Sequence, residues 1–281
     1  MKRALVSIVM PTFKRSDLIG RAVSSVLAQS YDNWELLVVL DGPEQATERE
    51  LKKYKDSRIR LIKKRHSGAA ACRNAAIRAS SGQYIAYCDD DDEYYPDHLK
   101  YLVAALEDKS EVGLVYGDCH IDYGTRLQVV RPKHRRAKLE RGNYLYPLVI
   151  LHRRACVERI GVFDETLTIF EDWEFLLRLS DAYPFRHVPK LVGKHNIHGG
   201  NICLKEERLL ADNCRRVYAK RLSQMMKKKE KVSLTYFRQV IRVLDDLGKP
   251  GWGVALAKRY HNKNHSKALM KLIERQGAVL K

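Results

Sequence analysis

Residues 89 to 93 read Asp-Asp-Asp-Asp-Glu, directly behind the apolar run QYIAYC, in a chain whose formal net charge is +18. Five neighbouring carboxylates repel one another, so a cation must neutralise part of the run, either one of the protein's own or a bound ion. A hard divalent ion such as Mg2+ or Mn2+ takes one or two protein carboxylates and completes its shell with phosphate oxygens and water. Such a run at the end of an apolar segment suits a divalent ion shared with a phosphate-bearing substrate. A second pair of acids, Glu171-Asp172 in FEDWE, opens a predicted helix. The helix N-terminus favours an ionised carboxylate there, the form in which an acid can act as a base. Trp173 beside it supplies an apolar wall that offsets part of that depression. The competing roles are structural: an acidic turn capping the helix that starts at Pro96, and a helix-end acid serving only as a cap.

These acids need a frame to hold them. LVSIVM (5–10) reads as a buried strand, and Ser16 is the candidate N-cap of a helix through about Gln29. ELLVVL (35–40) is a continuous apolar run, as in a strand covered on both faces. A charged helix over 44–56, a strand over 58–63, a helix over 68–80, a strand over 83–88, a helix from Pro96 and a strand over 112–117 follow. Such alternation predicts a parallel sheet with helices on both faces, which binds ligands beyond the carboxyl ends of its strands. Asp41 and the acidic run both fall at such ends.

From 118 to 200 the pattern is less regular, with a basic loop over 131–141, a strand entering a helix at LVILHRR, and a helix from about Glu171. His195 and His198 lie in GKHNIHGGN, read as a loop folding back over the site. The rear carries amphipathic helices, one with Leu210, Cys214, Val217, Tyr218 and Met225 on one face, another with Tyr236, Phe237, Val240, Ile241, Leu244 and Leu247. MKKKEK (226–231) is the expected hinge.

Several chemistries drop out. There is no GxxxxGK[ST], and PTFKRSD stands where a dinucleotide-binding GxGxxG would follow the first strand. The acidic run lacks the spaced ligands and central glycine of an EF-hand. The six cysteines are scattered without a CxxC pair, which argues against zinc. No stretch approaches the ~20 apolar residues of a membrane span. Charge is divided unevenly: Lys205 to Lys281 hold 20 Lys/Arg against 7 Asp/Glu, and the rest of the chain 32 against 27. The basic rear suits packing on the front domain with a solvated face, or contact with an anionic membrane surface. It lacks the interleaved aromatics of a base-reading module, so nucleic acid is not expected as a partner.

VSIVMPTFKR, ELLVVLDGP, HSGAAACRNAAIRASSGQYIAYCDDDDEYYPDHL and GVFDE…FEDWEFLLRL together resemble a family 2 glycosyltransferase of the GT-A fold, over about residues 4–200 and in the family's order. The resemblance implies an α/β fold: a Rossmann-like, mostly parallel sheet flanked by helices, with a basic α-helical C-terminal extension. It implies a catalytic domain over 1–204, with a nucleotide-sugar half (1–117) and an acceptor half carrying the base (118–204), followed by a basic helical region over 205–281. Pro11, Thr12, Phe13 and Arg15 match the first donor loop, and Asp41 matches the acid that meets the uracil ring. Arg73 and Asn74 match a segment near the nucleotide. In the acidic run the frame taken is Asp90-Asp91-Asp92, with Asp91 near the ribose and Asp92 on Mn2+ or Mg2+. The run also slips by one, which keeps Asp90 a candidate. Asp172 matches the base and Glu171 its neighbour, while His198 is assigned to the diphosphate or metal and His152 to the acceptor side.

The implied reaction is inverting transfer of one sugar from a nucleoside-diphosphate sugar, UDP first, ahead of dTDP or GDP. The implied acceptor is a hydroxyl of a cell-envelope glycan or lipid-linked precursor, at a cytoplasmic site peripheral to the membrane. The rivals are a non-catalytic nucleotide-sugar binder and a protein that binds nucleic acid or membrane surfaces on the same fold.

Overall fold

The computed structural model describes residues 3–200 and 207–227, with single positions at 240 and 242. Its chain divides at His198 into two compact units, the second beginning at Gly199.

The first unit is built outward from two apolar strands. β1 (Val6–Thr12) leads through α1 (Ile19–Leu27) to β2 (Trp34–Asp41), whose eight residues are all buried. α2 (Gln45–Leu51), β3 (Ile59–Lys64), α3 (Ala69–Ala79) and β4 (Tyr84–Tyr87) follow. β1 pairs in parallel with both β2 and β4, and β2 pairs in parallel with β3. This front half is the parallel sheet that the alternation of strand and helix predicts. Gly82 is held at the entry to β4 by close approach: a Cβ there would lie 2.5 Å from Ser7 Oγ. Ser7 in turn donates to the buried Glu35 carboxylate (2.7 Å) and accepts from Gly82 N–H (2.8 Å).

The second half departs from simple alternation. Behind the acidic run the two-residue β5 (Glu93–Tyr94) leads to α4 (His98–Glu107), the long β6 (Leu114–Asp122), β7 (Leu127–Val130) and the short α5 (Arg136–Leu139). β8 (Ile150–Arg153) passes directly into α6 (Arg154–Ile160), and α7 (Glu171–Ala182) precedes the twelve-residue β9 (Phe185–Asn196). The sheet order is β3-β2-β1-β4-β8-β6-β9-β5, with β7 on β6. β8 runs antiparallel to β4 and β6, β7 antiparallel to β6, and β5 antiparallel to β9, while β6 and β9 are parallel. The acidic run therefore turns between β4 at the sheet's centre and β5 at its far edge.

Two local readings change. Ser16 does not cap α1, whose first turn instead hangs on the Arg15 carbonyl, acceptor for the N–H groups of Leu18 and Ile19. The stretch read as a loop around His195 is the end of β9. In the second unit α8 (Glu207–Lys227) buries Ala211, Cys214, Val217, Tyr218 and Leu222 along one stripe. Among the described residues no helix is long and apolar enough to cross a membrane. The expected hinge and the helix face from Tyr236 to Leu247 lie largely outside the described residues.

Candidate active site

Three clusters line the strand ends. The first sits where β2 ends. Asp41, 4% exposed, accepts from Ser67 N–H at Oδ1 (2.7 Å) and Gly68 N–H at Oδ2 (2.9 Å), with His66 Nδ1 also 2.9 Å from Oδ2. Burial works to raise its pKa, but these backbone donors prevail and lower it. Asp41 thereby anchors the turn into α3. Phe13, exposed at the tip of the first loop, stacks on His66 with centroids 4.3 Å apart. His66 has no signature in the sequence; only its place two residues ahead of a helix start hints at a strand-end loop.

The second cluster is the acidic turn. Lys14 adopts a positive φ of 53° between β1 and α1, and Arg15 follows it. The Arg15 guanidinium pairs with Asp91 through Nη1, which also lies 3.8 Å from Asp90 Oδ1 and 3.2 Å from His198 Nε2. His198 Nε2 is itself 3.0 Å from Asp91 Oδ2. Two carboxylates and an imidazole thus gather on one cation. Asp90 Oδ2 and the Thr12 hydroxyl oxygen are both buried without a well-formed hydrogen bond. Burial first, then Asp91, pushes the Asp90 carboxyl up to about 7, against Thr12 and Arg15.

Asp92 is different. It is 3% exposed; its Oδ1 lies 2.8 Å from His195 Nδ1 and accepts from Asn196 N–H at 3.2 Å, both on β9. Asn196 also donates to the Asp91 carbonyl (2.6 Å), and Tyr146 stacks on His195. Burial opposes a charge on His195, yet the Asp92 carboxylate raises its pKa. Asp92, read as the metal ligand, thus has its Oδ1 fastening β9 against the turn, while Asp91 and His198 share the Arg15 guanidinium.

A divalent ion is implied by the resemblance, and the residues fit one. Among the described residues no three side chains suffice to hold an ion alone. Asp91 and His198 make a two-ligand corner of carboxylate and imidazole, spanned by Arg15 Nη1, beside the Asp90 Oδ2 that lacks a well-formed hydrogen bond; an ion there would take the place of the guanidinium and complete its shell with phosphate oxygens and water.

The third cluster surrounds Asp172, at the start of α7. Phe170 at φ 64° turns the chain into that helix. Arg73 reaches across from α3 and is 4% exposed; its Nη2 donates to both Asp89 oxygens (2.8 and 3.1 Å), and its Nη1 pairs with Glu171. Asp172 Oδ2 accepts from Asn143 Nδ2 (2.7 Å), and Oδ1 from the Trp173 N–H (2.7 Å). Burial first, then the Glu171 charge, pushes the Asp172 carboxyl up to about 7, although Arg73 acts against them. The expected depression by the helix terminus is overturned: desolvation outweighs a partial charge at the helix end. Trp173 meets Asp172 through its backbone N–H. Its indole is buried and donates to the Leu139 carbonyl (2.7 Å).

Three more residues read for the site are buried. Arg73 is buried between two carboxylates, which take its Nη atoms and leave Nε without a partner. Asn74 is fully buried; it donates to the Phe163 carbonyl (2.9 Å) and Glu165 (2.8 Å) and accepts from Phe163 N–H (2.9 Å), pinning the GVFDE loop. His152 is fully buried, with Nε2 2.7 Å from the Tyr87 hydroxyl and Nδ1 2.9 Å from the Arg153 carbonyl, and burial drives its pKa down to about 4. It is a neutral core histidine. Asn143 escaped notice because it stands in a loop without periodicity.

The glycosyl transferase family 2 model matches residues 7–171, from β1 to Glu171 at the start of α7. This chain belongs to family 2 of the glycosyltransferases. It is 30% identical over 246 residues, 87% of its length and 85% of the relative's, to the Escherichia coli UDP-Glc:alpha-D-GlcNAc-diphosphoundecaprenol beta-1,3-glucosyltransferase WfgD. It is 31% identical over 195 residues to the putative colanic acid biosynthesis glycosyl transferase WcaA of E. coli, across 64% of this chain and 67% of that one. Among solved structures, S. aureus TarS with UDP-GlcNAc superposes with a TM-score of 0.63 at 19% identity, over 96% of this chain and 89% of that one. A mannosyltransferase from Pyrobaculum calidifontis with GDP-Man and Mn2+ superposes at 0.62 and 17% identity, over 99% and 81%. These likenesses are of fold. The glycosyltransferase is an enzyme with the GT-A architecture.

Proposed function

We propose that this enzyme transfers a single sugar from a UDP-sugar to a hydroxyl of a lipid-linked cell-envelope glycan precursor by direct displacement, with inversion at the anomeric carbon. The observation that carries the reading is the link made by Arg73. One buried guanidinium binds Asp89 of the acidic turn and Glu171 beside Asp172, so the diphosphate end and the proton-accepting end of the site are one electrostatic unit.

In this reading the nucleobase lies at Asp41 and the Phe13–His66 pair, and the diphosphate lies toward Arg15, Asp91 and His198. A Mn2+ or Mg2+ ion held by Asp91 and His198 would supply charge stabilisation to the leaving diphosphate. Arg15, already gathered on the same acids, orients the phosphates and adds positive charge. Asp172 takes the acceptor hydroxyl's proton, and Asn143 and the Trp173 N–H fix its two oxygens for that task. A carboxylate titrating near 7 is a stronger base than an ordinary one and still half-ionised at neutral pH. A single carboxylate with no second nucleophile assigned favours one displacement over a covalent two-step route. The choice of UDP and of a diphospholipid-linked acceptor is supported by the activity named for WfgD and the UDP-GlcNAc held by TarS.

The test is a thermal-shift panel of UDP-, GDP- and dTDP-sugars with and without Mn2+, followed by product analysis with a short polyprenyl-diphosphate-linked sugar as acceptor. A metal-dependent shift with UDP-sugars and a product of inverted configuration is expected. Stabilisation by another nucleotide alone, or retention at the anomeric carbon, contradicts the reading.

A further inference from the structure

We infer that the β6–β7 hairpin and the basic segment behind it are a docking surface for an anionic lipid bilayer, distinct from the basic C-terminal region. The hairpin breaks the usual polarity rule of a half-covered sheet. Across it Gln128 pairs with Ile121 and Val130 with Cys119, and Ile121 and Cys119 are buried. Leu127 and Val129 therefore occupy the opposite, outward face, and they are 56% and 39% exposed. Tyr123 at the turn is also exposed, with the Arg126 guanidinium 4.5 Å from its ring centre. Two branched aliphatic residues on the outer face and an exposed tyrosine at the turn have the composition of an interfacial anchor, in which apolar side chains enter the acyl boundary.

The flanking charge selects the partner. From Arg126 to Arg141 the chain holds seven basic residues and a single acid, Glu140. Arg131 and Arg136 have their own carboxylates, Asp118 at 3.7 Å and Asp181, which orient them without cancelling the excess. A second copy of this chain, itself at +18, would bring like charge against like, so edge pairing of β7 between copies is disfavoured. An anionic membrane supplies both the apolar layer and the opposite sign. The same segment runs over α7 to the site: Leu139 accepts from Trp173 and Asn143 donates to Asp172. A lipid-bound acceptor would then reach the base from the docked side. That last consequence rests on the proposed reaction; the docking itself does not.

The experiment uses the full chain with vesicles of phosphatidylcholine alone and with a third phosphatidylglycerol, in co-sedimentation at low and physiological salt. One variant carries Leu127→Ser and Val129→Ser, another Arg131→Ser, Lys133→Ser and Arg135→Ser. Each cation near an anionic surface is worth about fivefold in partitioning, so the triple variant should bind on the order of a hundredfold more weakly. The double variant should lose at least about tenfold. UDP-dependent thermal shifts, measured in parallel, should be unchanged in both. Parent-like vesicle binding by both variants overturns the inference. So does a defect seen only toward a short RNA or DNA duplex, or a loss of dimer by sedimentation velocity with vesicle binding intact.

Discussion

Replacing Arg73 by methionine removes a cation that the acidic turn and the base helix share. Two carboxylates lose a partner. Glu171, 7% exposed, bears most of the cost, about 3–5 kcal/mol for breaking a buried ion pair. Asp89, with 29% of its side chain exposed, recovers part of its hydration. The more diagnostic effect falls on Asp172, whose carboxyl Arg73 holds down against burial and Glu171. Loss of a neighbouring opposite charge moves a carboxyl by roughly one to two units, from about 7 toward 8 or 9. At pH 7 the ionised fraction falls from about half to between a tenth and a hundredth, so the rate falls about 5- to 50-fold. The assay is kcat/KM against pH by UDP release, for the parent, Arg73→Met and Arg73→Lys. The acid limb should move up in Arg73→Met and only partly in Arg73→Lys, with activity recovering at high pH. An acid limb that stays in place in a folded Arg73→Met variant refutes the electrostatic coupling.

Further outcomes follow from the same geometry. Asn74→Ala should cost about 2–4 kcal/mol in a denaturant titration, by leaving buried partners of the GVFDE loop unpaired, while donor KM in the folded fraction stays within about twofold. Asp91→Asn should abolish the Mn2+-dependent part of the UDP-induced thermal shift, and Asp92→Asn should lower the Tm without abolishing it. His152 and His98, whose burial drives their pKa values down to about 4 and about 3, are neutral in the fold. The unfolded chain binds more protons than the fold between those values and about 6.5, so stability is complete above 6.5 and is lost as pH falls. That loss is on the order of 3 kcal/mol for His152 by pH 4. His98→Phe, which keeps a ring on Tyr94, should flatten the Tm-against-pH slope below 6.5 relative to the parent.

The front half of the fold was legible because its strands are buried on both faces and its helices carry apolar stripes, as β2 and α1 show. β9 was not. FRHVPKLVGKHN alternates charge with apolar residues and carries a proline and a glycine, and only its place between β6 and β5 makes it a strand. That omission also left the frame of the acidic run undetermined, because the partners that distinguish Asp92 from Asp91 are His195 and Asn196 of β9. The acid pair at α7 was visible as a motif, but the direction of the Asp172 shift was misjudged. A helix terminus acts locally and is evident in sequence, whereas the burial that raises the Asp172 pKa comes from the folded surroundings and is tertiary. Arg73 and Asn74 were noticed from their motif, but their contacts with Asp89, Glu171 and the GVFDE loop were not legible, since a sequence does not reveal which way a helix side chain is buried.

The most direct test of the account compares parent and Asp172→Asn enzyme by single-turnover transfer from a UDP-sugar, with UDP binding measured alongside. The account predicts a fall of about 10²–10⁴-fold in the chemical step, loss of the acid limb near pH 7, and unchanged affinity for UDP. Transfer by Asp172→Asn within tenfold of the parent, with the acid limb retained, would contradict it.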